Sequence, residues 1–509
     1  MNNPFQNISA RQKTLIIVTI MLVAVLEVLD STIVNVALPN MMPSLNANQD
    51  QITWVLTSYV VAAAMMLPLT GFLSNRIGIK NLLLVDIAGF LVSSFLCGTA
   101  NALNMMVFYR LLQGGFGAAL IPLSQSILRE SFPLEEQGKA MAIWGLGIMA
   151  APVFGPTLGG YIVAHASWRW IFYLNAPICF LGLIMTLIVI PQTEKTPQKI
   201  DYIGIFLMFV GIGCLQIFLD QGNSNNWFRS NYILLMAVIS VFSMTLFIIR
   251  SLSHKTPVIT LSIFRDRNFT LSTILLALYC GCLFGFVTLQ PIMLENLFHY
   301  NTMLAGETMI AIGLSSAVSM GISSFLMNRF NVKIILIVSI LFSAFATFQF
   351  SKISLVATQM DFIIDNLFFG FGLGLFMVPL TTYSLATLPK KNITEAAGLF
   401  SYGRMLGTSV GVSLLSTLIA RETQINWLQL NEHVSVFNHN FRMWLYRQHW
   451  GSHNPKALVL LQKNLLAQSS MIAFVDAFYL MSILLICFIP LVLCLKTVAL
   501  KEGTVNTGH

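Results

Sequence analysis

Val25-Leu26-Glu27-Val28-Leu29-Asp30-Ser31-Thr32-Ile33-Val34-Asn35-Val36-Ala37-Leu38-Pro39 lies in the first long apolar stretch of the chain, Thr14 to Leu38, and carries two carboxylates. A stretch of that length reads as a helix crossing a bilayer, where an acidic side chain near the centre costs roughly 2.5–3.5 kcal/mol on insertion scales. A chain that keeps two of them there uses them, and the usual uses are proton or substrate handling. The rest of the chain fits the same solvent. Of its 509 residues 56% are hydrophobic and only 9% charged, whereas a soluble domain carries about 25% charge. The net charge of +8 does not point to nucleic acid, because Lys and Arg stand singly or in pairs between apolar runs and form no basic face.

Working outward, about fourteen stretches are long enough to cross ~30 Å of hydrocarbon, which makes this an all-α polytopic membrane protein. With the N-terminus inside, the internal loops collect roughly 18 Lys and Arg and the external ones roughly 8, which places both termini in the cytoplasm. The first stretch is too long and too acidic for a cleaved signal peptide and is expected to stay as an anchor. All seven cysteines fall in or at the edges of spans, so neither a disulfide framework nor a metal site is expected.

The chain repeats itself. Asn75-Arg76 and Lys80 follow the second span, and Asn328-Arg329 and Lys333 follow the tenth, 253 positions later. Gly115, Gly117, Pro122 and Leu123 in the fourth span return as Gly372, Gly374, Pro379 and Leu380 in the twelfth, 257 positions on. Two echoes at nearly one offset pair spans one to six with nine to fourteen. The expected organisation is a six-helix bundle over residues 1–200, two inserted helices over 201–264, and a second six-helix bundle over 265–509 with an external loop at 420–470. Parallel six-span halves are the architecture of major facilitator transporters, in which substrate sits between the halves.

Local motifs agree. Gly71-Phe72-Leu73-Ser74-Asn75-Arg76-Ile77-Gly78-Ile79-Lys80 resembles the loop signature of that superfamily. Gly71, Asn75, Arg76, Gly78 and Lys80 are its conformational loop residues here, and Asn75 stands where an acid is usual. A tight basic turn that merely orients two helices would use the same residues. Gly147 to Gly160, with Pro152, Gly155 and Pro156, resembles the motif of the superfamily's antiporters. Its small residues allow close packing and its prolines bend the rod, as suits a gate.

Leu29 to Pro39, Trp168 to Pro177, and Leu219-Asp220-Gln221-Gly222 with Trp227 resemble fourteen-span drug:proton antiporters of the EmrB/QacA type. That resemblance implies export of hydrophobic drugs and toxic amphiphiles across the inner (plasma) membrane, with protons as coupling ion and no other cofactor. It also implies a tripartite pump with a periplasmic EmrA-like adaptor and an outer-membrane channel. Transport of one metabolite such as a fatty acid or siderophore stays open, as does, further off, a non-transporting membrane sensor. No Walker-type loop, metal constellation or nucleophile elbow supports ATP use or an enzyme.

Glu27 and Asp30, three residues apart, share one side of a helix, a spacing that suits a shared or exchangeable proton; a neutral packing role for Glu27 is the alternative. Arg110, inside the fourth span, either meets a carboxylate beside the central cavity or snorkels to the outer interface. Its approach to the acids would eject the proton, a coupling mechanism in outline. Asn35, Gln113, Asp365 and Arg404 join the cavity or gating set. Asp86 is expected to serve the loop cations Arg76 and Lys80 and Asp476 to lie at a span boundary, while for Glu307 and Asp365 an interfacial place and a cavity-lining one stay equally open. Segment 420–470, with its aromatics and a turn at Gly451 to Pro455, reads as a helical hairpin, either an adaptor surface or a cap over the cavity. Asp30 has no acidic counterpart in the second half, so the proton site belongs to the first half alone.

Overall fold

The computed structural model describes residues 9–193, 195, 199–254, 257–327, 329–389, 392–434, 438–447 and 455–496, and it contains helices and no strand among them. Thirteen stretches are long and apolar enough to span a bilayer: α1 Arg11–Ser44, α2 Gln49–Ile77, α3 Ile79–Thr99, α4 Leu103–Ser131, α6 Trp170–Val189, α7 Tyr202–Gln221, α8 Asn231–Ser253, α9 Arg267–Leu297, α10 Met303–Met327, α11 Val332–Phe350, α12 Gln359–Ser384, α13 Ile393–Glu432 and α14 Leu458–Leu493. Between them α5, Leu134–His165, is a further helix of 32 residues, about 48 Å long at 1.5 Å per residue.

The helix ends follow local chemistry. Ser9 caps α1 by accepting the backbone N–H of Gln12, and Asp201 caps α7 through the N–H of Gly204; both satisfy donors that a first turn leaves orphaned. Pro68 sits in a 3₁₀ turn, Leu67–Leu69, inside α2. The fourth rod opens at Ala118 and Ala119, just ahead of Pro122, which cannot donate back to the preceding turn.

Packing within the first half is echoed in the second. α1 lies on α5 as α9 lies on α13, α2 on α4 as α10 on α12, α3 on α4 as α11 on α12, and α3 on α6 as α11 on α14. Even the loop cations repeat. Lys80 Nζ donates to the Leu187 carbonyl (2.7 Å) near the end of α6, and Lys333 Nζ donates to the Leu493 carbonyl (3.1 Å) at the end of α14. In each case a cation meets the negative end of a helix. Asn328, the counterpart of Asn75, lies outside the described residues.

The two halves meet at the end carrying the Gly71–Lys80 loop. There Ser126 and Thr394 hydroxyls are 2.6 Å apart. A Cβ on Gly71 would stand 2.4 Å from Glu395 Cα, and one on Gly398 2.7 Å from the Leu67 carbonyl, so α2 and α13 cross backbone to backbone. α5 faces α10 at the same level, with Gly145 and Gly138 opposite Met320 and Met327. At the opposite end α7 bridges the halves: Asp220 accepts from Thr57 on α2, while Gln216 Nε2 donates to Ser409 Oγ (2.6 Å) and Ser413 Oγ to the Leu219 carbonyl (2.6 Å) on the α13 side.

In the external segment the helical arms are extensions of the spans themselves. α13 runs unbroken for 40 residues to Glu432, about 60 Å and twice a hydrocarbon core. Residues 455–457 extend the last span in the same way, in one helix from Pro455 to Cys487. The two arms are therefore continuations of the spans, with a short helix, His439–Arg447, between them. Ala420 to Glu432 contains neither Gly nor Pro, so nothing stops the helix at the membrane surface. The turn residues Gly451 to Asn454 lie outside the described residues.

Candidate functional site

Asp30 is 0% exposed and Arg110 1% exposed, and they form an ion pair of 2.7 Å between Arg110 Nη1 and Asp30 Oδ2. Asp30 Oδ1 accepts from Gln113 Nε2 (2.9 Å) and Asn175 Nδ2 (2.7 Å). Arg110 also donates from Nε to the Val55 carbonyl (3.1 Å) and from Nη1 to Gln113 Oε1 (2.7 Å). Its guanidinium carbon lies 4.2 Å from the centroid of the Tyr59 ring, a cation–π arrangement. Asn175 in turn donates to Ser94 Oγ (3.0 Å), whose hydroxyl donates to the Phe172 carbonyl (2.8 Å). Five helices, α1, α2, α3, α4 and α6, thus contribute to one network, in which α4 and α6 donate to the carboxylate, α2 and α3 hold its partners, and each of its oxygens is satisfied without a proton. A buried pair of this kind is held by the hydrogen bonds around it as much as by its Coulomb attraction.

Glycines bring the helices close enough. Gly114 on α4 sits where a Cβ would be 2.2 Å from the Tyr59 carbonyl, which lets Arg110 reach across α2. On the other side of α1, a Cβ on Gly147 would meet Met21, on Gly155 the Thr32 hydroxyl at 2.3 Å, and on Gly159 Ile33. The glycines of the antiporter-like motif are therefore the seam between α5 and α1. Thr32 and Ser31 fold their hydroxyls onto the Val28 carbonyl (3.0 and 2.9 Å), which satisfies both hydroxyls. Pro152 and Pro156 lie on the same helix, but their side chains are outside the described ones.

Glu27 takes a different course. It is not bonded to Asp30, whose acceptors are engaged with Arg110, Gln113 and Asn175, and its Oε2 is buried without a hydrogen-bond partner. The expected proton shared between the two acids is thus not what the geometry presents: Asp30 is closed in by Arg110, Gln113 and Asn175, and Glu27 stays outside that network. Snorkelling of Arg110 is likewise overturned, since α4 enters with its Arg turned inward against Asp30, Gln113 and the Val55 carbonyl.

Of the remaining residues, Gln113 is in the network. Asn35 is exposed on α1 and bonds only its own helix, Nδ2 to the Ser31 carbonyl at 3.4 Å. Arg404 is half-buried, and Asp365 is buried on α12, in neither case within the Asp30 network. Glu307 and Asp476 are exposed. Asp86 does not serve Lys80, which is bonded to Leu187 instead; it is 4% exposed with Oδ2 unpartnered. In the loop, Gly71 is the α2–α13 crossing point, Gly78 adopts φ +91° between α2 and α3, and Asn75 and Arg76 are partly exposed. Asn175, Ser94 and Tyr59 belong to the network around Asp30 and Arg110, and the sequence left them unassigned. An Asn at the start of an apolar helix was the available signal for the first; nothing local marks the other two. No cluster of three or more metal-ligating side chains occurs among the described residues.

Residues 20–412 match the family profile of the Major Facilitator Superfamily. The chain is similar to the multidrug export protein EmrB of Haemophilus influenzae, 36% identical over 431 residues, 83% of this chain and 84% of that one. It is also similar to the fatty acid resistance protein FarB of Neisseria gonorrhoeae, 35% identical with 92% and 93% of the two chains covered. In fold it matches the proton:xylose symporter XylE with a TM-score of 0.60, at 13% identity and covering 95% of this chain and 97% of that one. With the duplicated helix packing and the ion pair between its first and fourth spans, this chain belongs to the Major Facilitator Superfamily.

Proposed function

We propose that this protein is a proton-driven exporter of hydrophobic and amphiphilic compounds, working by antiport across the inner membrane with both termini in the cytoplasm. The observation that carries the reading is the Asp30–Arg110 pair: a carboxylate with no exposure, neutralised by a guanidinium and bonded by two amides. Adding a proton to Asp30 cancels its charge, weakens three hydrogen bonds at once and leaves Arg110 on the Val55 carbonyl, Gln113 and Tyr59. The packing of α1 against α4 and α6 then changes, and α1 is also the helix whose other side forms the glycine seam with α5. Loss and recovery of one proton thereby bias the contact between the halves, which alternate around the gap between them. The present arrangement, sealed at the Gly71–Glu395 crossing, is the outward-facing one if that end is cytoplasmic. Names of relatives support export: EmrB is a multidrug export protein and FarB a fatty acid resistance protein. No cofactor is needed beyond the proton. The arms of α13 and α14 are proposed to meet a periplasmic EmrA-like adaptor leading to an outer-membrane channel.

The test is uptake into proteoliposomes with an imposed pH gradient, comparing wild type with Asp30→Asn. Gradient-driven accumulation of hydrophobic dyes is expected in the wild type and only equilibration in the variant. Accumulation by both to the same level would remove Asp30 from the coupling. Adaptor association is tested separately by co-purification with and without residues 420–470, and unchanged recovery after deletion would exclude that surface.

A further inference from the structure

The two oxygens of the Asp30 carboxylate are not equivalent. Oδ1 accepts two amide N–H groups, from Gln113 (2.9 Å) and Asn175 (2.7 Å), while Oδ2 accepts, among the described residues, from Arg110 alone (2.7 Å). A carboxylate offers about four lone-pair sites, shared equally by its oxygens, so Oδ1 is full and Oδ2 is not. Neither amide is free to turn over. Gln113 Oε1 accepts from Arg110 Nη1 (2.7 Å), which leaves Nε2 facing Asp30. Asn175 is fixed by a hydroxyl. Ser94 donates its one hydrogen to the Phe172 carbonyl (2.8 Å), so toward Asn175 it can only accept, and Nδ2 donates to it at 3.0 Å. The backbone prepares this contact. Pro177 has no N–H for the Tyr173 carbonyl, and α6 breaks at Leu174 and restarts at Asn175. Gly98 on α3, where a Cβ would lie 2.4 Å from the Tyr173 ring, lets α3 approach closely enough for Ser94 to reach α6.

We infer that Asn175 is a positioning residue of the proton site: held by Ser94 as a donor, it reserves Oδ1 as an acceptor and directs the proton to Oδ2. The inference rests on the reading above that Asp30 carries the proton, and it names the atom that takes it and the residue that selects that atom. A proton on Oδ1 would point at N–H groups whose orientation the network has already set. On Oδ2 the new O–H bond meets only the Arg110 N–H. The carboxylate loses its charge, and Oδ1 becomes the carbonyl oxygen of a neutral acid that still accepts from both amides. Arg110 is then the partner that lets go, while the bond from α1 to α6 is weakened but kept. Asn175 thus holds Asp30 in one place in both protonation states, so a gained proton moves Arg110 and not Asp30. Tyr59, under the guanidinium, and Cys97, whose Sγ donates to Gln113 Oε1 at 3.5 Å, border the pair without bonding either carboxylate oxygen.

The test is the carbonyl stretch of the protonated acid, which moves to lower wavenumber with each hydrogen bond that its C=O accepts. Infrared difference spectra between acid and neutral pH are taken on the full chain in phosphatidylcholine vesicles. Wild type should show a carboxylic C=O band that Asp30→Asn removes and Glu27→Gln leaves in place. Asn175→Ala should move that band to higher wavenumber. Ser94→Ala should split it, because the released amide can face Oδ1 with either end, and Ser94→Thr should restore a single band. Gly306→Ala, with open space beside it, should leave the band unmoved, and a merely structural loss would lower Tm without moving it. An Asp30 band that Asn175→Ala leaves in place overturns the positioning role while Asp30 remains the proton carrier. If that variant does not fold, a band that Ser94→Ala leaves single does the same. Absence of any band that depends on Asp30, at every pH at which the chain stays folded, overturns the proton reading together with the inference.

Discussion

Replacing Asp30 by Asn changes one oxygen to NH₂ at constant volume, and the cost can be worked from its partners. Three donors converge on the carboxylate, Arg110 Nη1 on Oδ2 and the amides of Gln113 and Asn175 on Oδ1. An Asn turned either way points its own NH₂ at one or two of them. Gln113 cannot simply flip, because its Oε1 already accepts from Arg110. The guanidinium, 1% exposed, is left uncompensated, a loss of about 3–5 kcal/mol. For a chain of 509 residues, an unfolding entropy of about 2 cal/mol/K per residue converts that into a drop of about 3–5 °C in Tm. Arg110→Gln should cost a similar amount by stranding the carboxylate. The double variant removes both charges and should melt no lower than Asp30→Asn alone, because each partner's penalty is the other's stranded charge. Tryptophan-fluorescence melts of the four proteins in one detergent measure the cycle. Additive losses in the double variant would refute the assignment of the two groups to a single buried pair.

Gly155→Ala should lower stability by about 1–3 kcal/mol, since the new methyl would lie 2.3 Å from the Thr32 hydroxyl, whereas Gly306→Ala, with nothing within 4 Å, should be neutral or slightly stabilising. Equal melting of the two would show that the α1–α5 seam can relax. Gly78→Ala, at φ +91°, should cost about 1–2 kcal/mol of backbone strain, read as a lower Tm than that of Gly306→Ala. The Arg250 guanidinium beside Asp201, reinforced by the Gly204 N–H, holds the Asp201 carboxyl below its ordinary value. Because the folded value is depressed, this stabilisation is present above about pH 4, the unfolded value, and is lost as pH falls through the lower folded one. Wild type should thus lose more Tm than Asp201→Asn between pH 6 and pH 3, and parallel losses would contradict the pairing.

Much of the fold was legible because its information is local. Runs such as Leu271 to Leu278 in α9 or Ile334 to Val338 in α11 need no partner to declare a span, and the Asn-Arg-Lys and Gly-Pro-Leu echoes revealed the duplication before any packing was visible. Asp30 and Arg110 were each readable as costly residues in an apolar setting, and the antiporter-like motif marked α5 as a close-packing helix. Less legible were the residues that complete the site. Asn175 reaches Asp30 from 145 positions away, and Ser94 holds Asn175 from a further helix, 81 positions from it. Ser94 stands in ordinary apolar helix, and Asn175, although inside the Trp168 to Pro177 motif, carries no local sign of its partner. The continuity of the external arms with the spans was less legible for a related reason: hydropathy falls at the membrane surface, but helix propensity does not, so α13 continues to Glu432.

The sequence by itself determined the solvent, the approximate number of crossings, the two-fold repeat and the presence of two acids in the first span, because hydrophobic length and motif order are written residue by residue. Only the tertiary structure decided that those acids have different fates. Side chains three positions apart on one helix point about 60° apart, and which neighbours they meet depends on how α1 crosses α4, α6 and α13. Those crossings are set by glycines on the partner helices, such as Gly114 and Gly155, whose effect exists only once the helices are in contact. Asp30 is thereby enclosed with Arg110, and Glu27 is left outside that network with its Oε2 buried and unpartnered.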